Sequence, residues 1–374
     1  MRPAQPVAVV GAGIAGLAAS LALARCGFAV DLHEQAERLD EIGAGIQLSP
    51  NALRVLDRLG LLSALRERAV EAREVTLRDL RTGRRLANVP VLGSDGTPYL
   101  SLTRAHLQRV LLDAVTATAS IRLHLGSELV AARQDGTHTV LSFSDGEVAT
   151  GVVIAADGVR SEIASAFGHP AAEPTDDVAW RLTLGAEGRE PLSGITAWLG
   201  PRCHVVAYPV DRGGRINVVV AVPEKAGNSR RLLVGADPFL HRISEALDQA
   251  TPWPLAASDR PRRPGDPPGL LLVGDAAHAM PPYAAQGAAL AIEDGFVAAE
   301  CLARAEDAAA AWQRFEAVRR PRWQRVRRRV AFHRMVYHLP FPFALGRNLV
   351  LRARSEASLL RDLGWLYDWT PDDA

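Results

Sequence analysis

Lysine is almost missing from this chain: of its 43 basic residues only Lys225 is not arginine, and 42 acidic residues bring the formal net charge to +1. So balanced a surface offers no global field to draw in nucleic acid or an anionic membrane. The arginine excess, beside much Ala, Gly and Pro, reads as coding bias of a GC-rich genome rather than as a phosphate-binding device. Cysteine is scarce as well. Cys26, Cys203 and Cys301 stand far apart with no CxxC pair, so neither a disulfide framework nor a zinc site is indicated, no metal is expected, and a reducing cytoplasm fits. Long apolar runs are lacking too. None reaches the ~20 residues of a membrane helix. Ala276 to Ile292, free of Asp, Glu, Lys and Arg, is interrupted by His278, Pro281, Pro282 and Gln286. The start "MRPAQPVAVVGAG" has no long apolar signal region or cleavage site. A cytoplasmic protein with no membrane span is the expectation.

What is present is length and pattern. The 374 residues, 48% apolar and 23% charged, are enough for two domains and a large core in an ordinary globular chain. "QPVAVVGAGIAGLAASLALARCGFAVDLHE" reads as strand, glycine turn, helix, strand. Gly11, Gly13 and Gly16 form GxGxxG. The first glycine permits the tight turn, the second lets backbone approach a pyrophosphate, and the third lets helix and strand pack closely. The helix start offers N–H groups and a positive dipole end to phosphate. Glu34 closes the next strand, 18 residues beyond Gly16, where an acid accepts hydrogen bonds from a ribose diol. This motif alone leaves FAD and NAD both open.

Two further strand ends favour FAD. "GVVIAADGVRSEI" (151–163) ends in Asp157-Gly158, and "LLLVGDAAHAMPPYAAQGAALAIEDG" (270–295) carries Gly274-Asp275 at the tip of an apolar run. Such acids can accept hydrogen bonds from sugar-like hydroxyls, and FAD has a ribityl chain where NAD has none. A helix starting near Gly287 would point N–H groups and its positive end at the group Asp275 holds, stabilising negative charge on a reduced flavin.

At this point the chain resembles the class A flavoprotein aromatic hydroxylases of the p-hydroxybenzoate hydroxylase superfamily. It is most similar to the salicylate hydroxylase, 3-hydroxybenzoate 6-hydroxylase and 6-hydroxynicotinate 3-monooxygenase branch. The resemblance rests on "GAGIAG" with Glu34, "EIGAGIQLSPNALRVLDRLG" (41–60), "TRAHLQRVL" (103–111), "AADGVRS" (155–161), "GDAAHAMPP" (274–282) and "AAQGAALAIEDG" (284–295), reaching to about residue 330. It implies an α/β fold: a Rossmann-like FAD-binding domain, a mixed-sheet substrate domain and C-terminal helices. The discontinuous FAD-binding domain would comprise 1–71, 100–170 and 258–330, and the substrate domain 72–99 and 171–257. C-terminal helices would occupy 331–374. It further implies one FAD with a mobile flavin, NADH or NADPH as electron donor, and no separate nicotinamide domain. No second GxGxxG strand-turn-helix unit occurs.

Residue by residue, the resemblance implies that Ala15 lies against the FAD pyrophosphate and Glu34 holds the adenosine ribose. Arg104, opening a helix, would reach the phosphates, and Leu129 would touch adenine through its backbone. Asp157 belongs to a segment tied to FAD and reduced nicotinamide. Asp275 would bind the ribityl chain, with Gly287 and Ala288 near the flavin ring and Arg38 a further cofactor candidate.

The stretches 72–99 and 171–257 alternate like strands. In "HVVAY", His204 and Tyr208 are four apart and share a strand face, and "GGRINVVVAV" reads as the partner strand after a turn at "DRGG". The 6-hydroxynicotinate-type relatives share this His-x-x-x-Tyr spacing, which implies His204 as base toward a substrate hydroxyl, with Tyr208 orienting or relaying. The chemistry is electrophilic: a flavin hydroperoxide, formed from reduced flavin and dioxygen, is attacked by an electron-rich ring. Taking a phenolic proton raises ring density, and histidine suits that task near pH 7. Gln47 and Tyr283 stand where the 6-hydroxynicotinate enzyme carries histidine. They and Gln286 are pocket candidates for a substrate different from that enzyme's.

"RRPRWQRVRRRVAFHR" (319–334) invites a nucleic-acid reading. The alternative is an amphipathic helix whose arginines are solvated or pair with acids, and this is the expectation; no nucleic acid is expected as partner. Residues 335–374 read as further helices with Trp365 and Trp369 packing. The expected function is hydroxylation of a small aromatic or heteroaromatic substrate by a monomer or homodimer. Rival readings are an FAD-dependent epoxidase or N-hydroxylase of a biosynthetic pathway, an NAD dehydrogenase, and a nucleic-acid-binding protein.

Overall fold

The structure is a computed structural model that describes residues 5–39, 45–185, 192, 194–224, 233 and 235–373. The first four residues of the 41–60 motif lie outside the described residues.

The short apolar runs form a five-stranded parallel sheet in the order Leu270–Leu272, Val153–Ala155, Val7–Val10, Val30–Glu34, Ile121–Leu125. The runs Val7–Val10, Val153–Ala155 and Leu270–Leu272 are apolar and buried throughout because both faces of the sheet are covered. Register matters most here. Val10 pairs with Ala155 and Ala155 with Leu272, so Gly11, Asp157 and Gly274-Asp275 emerge side by side at the carboxyl edge, where open α/β sheets bind ligands. Helix Ile14–Arg25 leaves the glycine turn and packs on helix Gly287–Arg304; a Cβ on Gly295 would come within 2.7 Å of the Ala19 nitrogen.

The second layer is a seven-stranded mixed sheet, and all its strands fall within 72–99 and 171–257. Its order is Thr251–Ala257, Glu173–Leu184, Ile216–Pro223, Cys203–Pro209, Ile195–Gly200, Glu74–Asp79, Arg85–Pro90. Only the pairing of Ile195–Gly200 with Glu74–Asp79 is parallel. The turn at "DRGG" joins Cys203–Pro209 to Ile216–Pro223 antiparallel, with His204 opposite Ala221 and Tyr208 opposite Asn217. Strand alternation sends Val205 and Ala207 into a separate apolar core shared with helix Pro238–Ala246, and His204, Val206 and Tyr208 to the other face.

The basic stretch lies in helix Ala308–Tyr337, and most of its arginines are engaged within the protein. Arg319 and Arg322 are buried against Glu293 and Asp294. Arg320 and Arg327 approach Asp259, Arg334 pairs with Asp177, and Arg325 lies 4.1 Å from the Trp365 ring centroid. Trp369 sits under both Arg319 and Arg322.

Burial pushes the Glu293 and Asp294 carboxyls up, but the charges facing them outweigh it and hold both below the usual range: Arg322 and Arg319 for Glu293, His278 and Arg319 for Asp294. A carboxyl depressed in the folded state stabilises above its unfolded value near pH 4, and that contribution disappears as pH falls through the folded value. Arg319→Ala leaves two buried carboxylates with one arginine. It is expected to cost about 3–5 kcal/mol and to move acid unfolding to higher pH, as read by circular dichroism on heating and on acid titration.

Candidate active site

A cavity of about 860 Å³ opens at the carboxyl edge of the parallel sheet and runs to the inner face of the mixed sheet. One end is walled by Gly13, Ala15, Arg104, Asp275, Gly287 and Ala288, the other by Gln47, His204, Tyr208 and Tyr283, with Arg181 between strands. C-terminal residues, among them Tyr337, Leu363 and Tyr367, close the far side.

The cofactor end is built from backbone. Gly11, at φ +97°, brings its Cα so near Ala156 that a Cβ would meet that carbonyl oxygen at 2.5 Å, and a Cβ on Gly16 would meet the Gly11 oxygen at 1.8 Å. Gly13 has nothing within 4 Å of its Cβ position, and neither has Gly287. Two glycines thus pack the turn, and two leave room for a ligand. Glu34 accepts hydrogen bonds from the Ala12 N–H (2.7 Å) and the Ala36 N–H (3.0 Å), so it also ties down the turn. Its carboxylate retains lone pairs for ribose hydroxyls.

Helix Gly287–Arg304 has no side-chain cap. The Gln286 amide is turned inward, donating to Ser49 Oγ at 3.0 Å and accepting from Asn51 at 3.1 Å. Gln286 is 2% exposed and, unlike Gln47 and Tyr283, is not part of the cavity wall. The first-turn N–H groups are therefore left to the cavity. Asp275 is exposed on the wall. Asp157 Oδ2 accepts from Ile163 N–H at 3.1 Å, whereas its Oδ1 is buried without a partner; burial raises this carboxyl above its ordinary value. An open glycine turn and an uncapped helix start fit a dinucleotide, whereas Asp157 lies between wall residues Ala156 and Gly158 without itself being part of the cavity wall. Leu129 begins a strand, Leu129–Asp135, away from the cavity, and Arg38 is on the exposed surface.

At the other end Gln47 links two phenols, accepting from Tyr99 at 2.9 Å and hydrogen-bonding Tyr208. The Tyr283 hydroxyl donates to Asp177 at 2.6 Å. Burial raises the Tyr208 and Tyr283 hydroxyls, the latter further through its Asp177 bond and charge. His204 is 4% exposed, and burial, then neighbouring His338 and His333, hold its imidazole well below the ordinary range, so it is neutral at pH 7. Sequence reasoning missed Arg181. Its guanidinium lies 5.5 Å from the Trp253 ring centroid with no carboxylate pairing it among the described residues. An arginine inside the apolar run "VAWRL" was the available signal.

A strand, glycine turn and helix facing a second sheet across one shared cavity define a flavin-dependent oxidoreductase of two layers. The chain belongs to the FAD binding domain family, which matches residues 4–332, and FAD is its cofactor. It is an FAD-dependent monooxygenase of the aromatic hydroxylase type that the motifs resemble. It is 31% identical over 385 residues to the 3-hydroxybenzoate 6-hydroxylase of Klebsiella oxytoca, covering 98% of this chain and 97% of that one. It is 34% identical over 385 residues to the 3-amino-4-hydroxybenzoate 2-monooxygenase PtmB3 of Streptomyces platensis, covering 96% and 95%. Among solved structures, Klebsiella pneumoniae HpxO complexed with FAD and uric acid shares the fold with a TM-score of 0.83 at 24% identity, over 100% of this chain and 98% of that one.

A hydrogen bond to a charged group contributes about 1.5–3 kcal/mol. Asp275→Ala is therefore expected to weaken FAD binding about 10- to 100-fold while leaving the fold intact, read by flavin titration of the apoprotein. Unchanged affinity would remove Asp275 from the cofactor site.

Proposed function

We propose that the chain hydroxylates a small phenolic or N-heteroaromatic substrate with dioxygen, drawing electrons from NADH or NADPH. The observation that carries this reading is continuity: one cavity joins the open glycines and uncapped helix start to His204, Tyr208 and Arg181. Ala15 and Gly13 backbone and Arg104 would hold the FAD pyrophosphate, Glu34 the ribose, Leu129 backbone the adenine, and Asp275 the ribityl chain. Gly287 and Ala288 N–H groups would face the ring, with Asp157 and Arg38 contributing nearby. Bound there, the flavin supplies the activated oxygen.

The protein's share is proton handling and placement. His204, neutral at working pH, takes the phenolic proton. Arg181 stabilises the phenolate that remains, its charge strengthened by the apolar wall. Tyr208, fixed by Gln47, orients the ring. The relatives' substrates, 3-hydroxybenzoate and 3-amino-4-hydroxybenzoate, are anionic phenols, and a guanidinium with no carboxylate partner among the described residues suits that class.

The test is a screen of monohydroxylated benzoates, pyridines and quinolones for stimulated NADH oxidation, with peroxide subtracted and product mass measured. If no compound yields a product heavier by one oxygen, the reading is wrong. His204→Gln is expected to keep its flavin and to lower hydroxylation about 100- to 10,000-fold. In Arg181→Gln the bound phenol loses its stabilising cation and its pKa rises, so the rising limb of the kcat/KM–pH profile moves to higher pH.

A further inference from the structure

His204 faces a second histidine. Its Nδ1 lies 2.9 Å from Nε2 of His338, which follows the last turn of helix Ala308–Tyr337. The two rings are tilted by 42° with centroids 5.1 Å apart. No carboxylate bonds His204, and its Nε2 has no hydrogen-bond partner among the described residues. His204 is buried on the cavity wall, whereas His338 is partly exposed. One imidazole therefore looks into the cavity and the other toward solvent, with a single hydrogen bond joining them.

We infer that His204 and His338 form a two-histidine relay that carries the substrate's phenolic proton out of the cavity and returns a proton to the product. The inference deepens the hydroxylase reading and rests on it. As the substrate O–H bond breaks, His204 Nε2–H forms. His204 Nδ1–H breaks as His338 Nε2–H forms, and His338 Nδ1 releases its proton to solvent. Neither ring has to hold a charge throughout, which matters because a buried imidazolium is costly. When the hydroxylated product needs its phenolic proton, the same bonds exchange in reverse, and both tautomers are restored. Proton number closes over the cycle.

The surroundings keep the relay loaded. Burial, opposed by Asp177 and reinforced by Arg334 and Arg347, leaves His338 at about 4, so both rings are neutral at pH 7. The other titratable groups against the pair are Tyr283, Tyr337 and His333. The Tyr283 and Tyr337 hydroxyls are raised, chiefly by burial, and His333 is lowered to about 4, again chiefly by burial. None of the three changes charge between pH 5 and 9.

The test uses flavin-loaded enzyme and the phenol from the screen that yields most product. His338→Gln keeps a hydrogen-bonding side chain that cannot pass a proton on. It is expected to bind FAD and substrate normally and to lower hydroxylation about 100-fold, near the lower end of general acid–base effects. His338→Ala should be as slow, and added imidazole should restore it in proportion to the free base, because the vacated site is open to solvent. A His338→Gln rate within twofold of the parent overturns the relay while leaving the hydroxylase reading intact. So does a slow His338→Ala that imidazole does not rescue, since that marks a packing role. A parent that hydroxylates no phenol fails the underlying reading, and the relay fails with it.

Discussion

The site depends on one buried carboxylate. Asp294 is fully buried in the middle of helix Gly287–Arg304, and four groups from two other segments converge on it. Oδ2 accepts the Gly274 N–H at 2.9 Å and His278 Nε2–H at 2.5 Å, and Oδ1 accepts Arg319 at 2.7 Å and Trp323 at 2.9 Å. Gly274 precedes Asp275, at φ +58°, wedged where a Cβ would stand 3.0 Å from Ala15 Cβ and 3.2 Å from Ala291 Cβ. One residue thus fixes the tip of a strand, the helix of the glycine turn and the helix whose start opens on the cavity. Desolvating such charges is expensive, and an apolar replacement of the whole group is often no less stable. What the ions add is direction: a carboxylate that must accept four donors permits one arrangement of the segments that supply them.

The same logic explains a helix start without a cap. Ordinarily a polar side chain at that position bonds the first free N–H groups. Here Gln286 is drawn away by Ser49 and Asn51, and Asn51 in turn donates to Glu293 at 2.6 Å. Ala285 ahead of it adopts the left-handed region at φ +51°, a conformation that costs a non-glycine residue about 1 kcal/mol or more. The chain accepts strain and an unsatisfied helix end where a ligand with acceptor atoms would satisfy both the N–H groups and the dipole.

Strand ends and sheet alternation were legible because they are local. "VAVVGAG", "VVIAADG" and "LLLVGD" each announce a buried strand closing on glycine or an acid, and parallel register does the rest. "HVVAY" gave the shared face of His204 and Tyr208 by its period alone. Gln286 shows the limit: the sequence placed it beside the flavin segment, but which way its amide turns is decided by Ser49 and Asn51, more than 230 residues earlier. Composition hid the buried arginines, since Arg319 and Arg322 look like their exposed neighbours in a run, 319–334, where half of the residues are arginine. His338 carried no local sign at all, because its partner lies 134 positions away.

Selectivity follows from which polar groups are already committed. Gln47 has its carbonyl on Tyr99 and its amide on Tyr208, and Tyr283 has its hydroxyl on Asp177, itself paired with Arg334. Polar groups already bound to the protein leave few donors and acceptors for a pyridine nitrogen or a second hydroxyl. A substrate polar group left unpaired in such a wall loses about 1–3 kcal/mol. On the proposed reading, polar recognition falls to His204 and Arg181, one proton acceptor and one fixed cation, beside the apolar side chains of Val75, Leu77, Val89 and Val206. On that reading the pairing suits a ring carrying a single acidic hydroxyl better than one with several, and it places discrimination in the phenolate formed within the cavity.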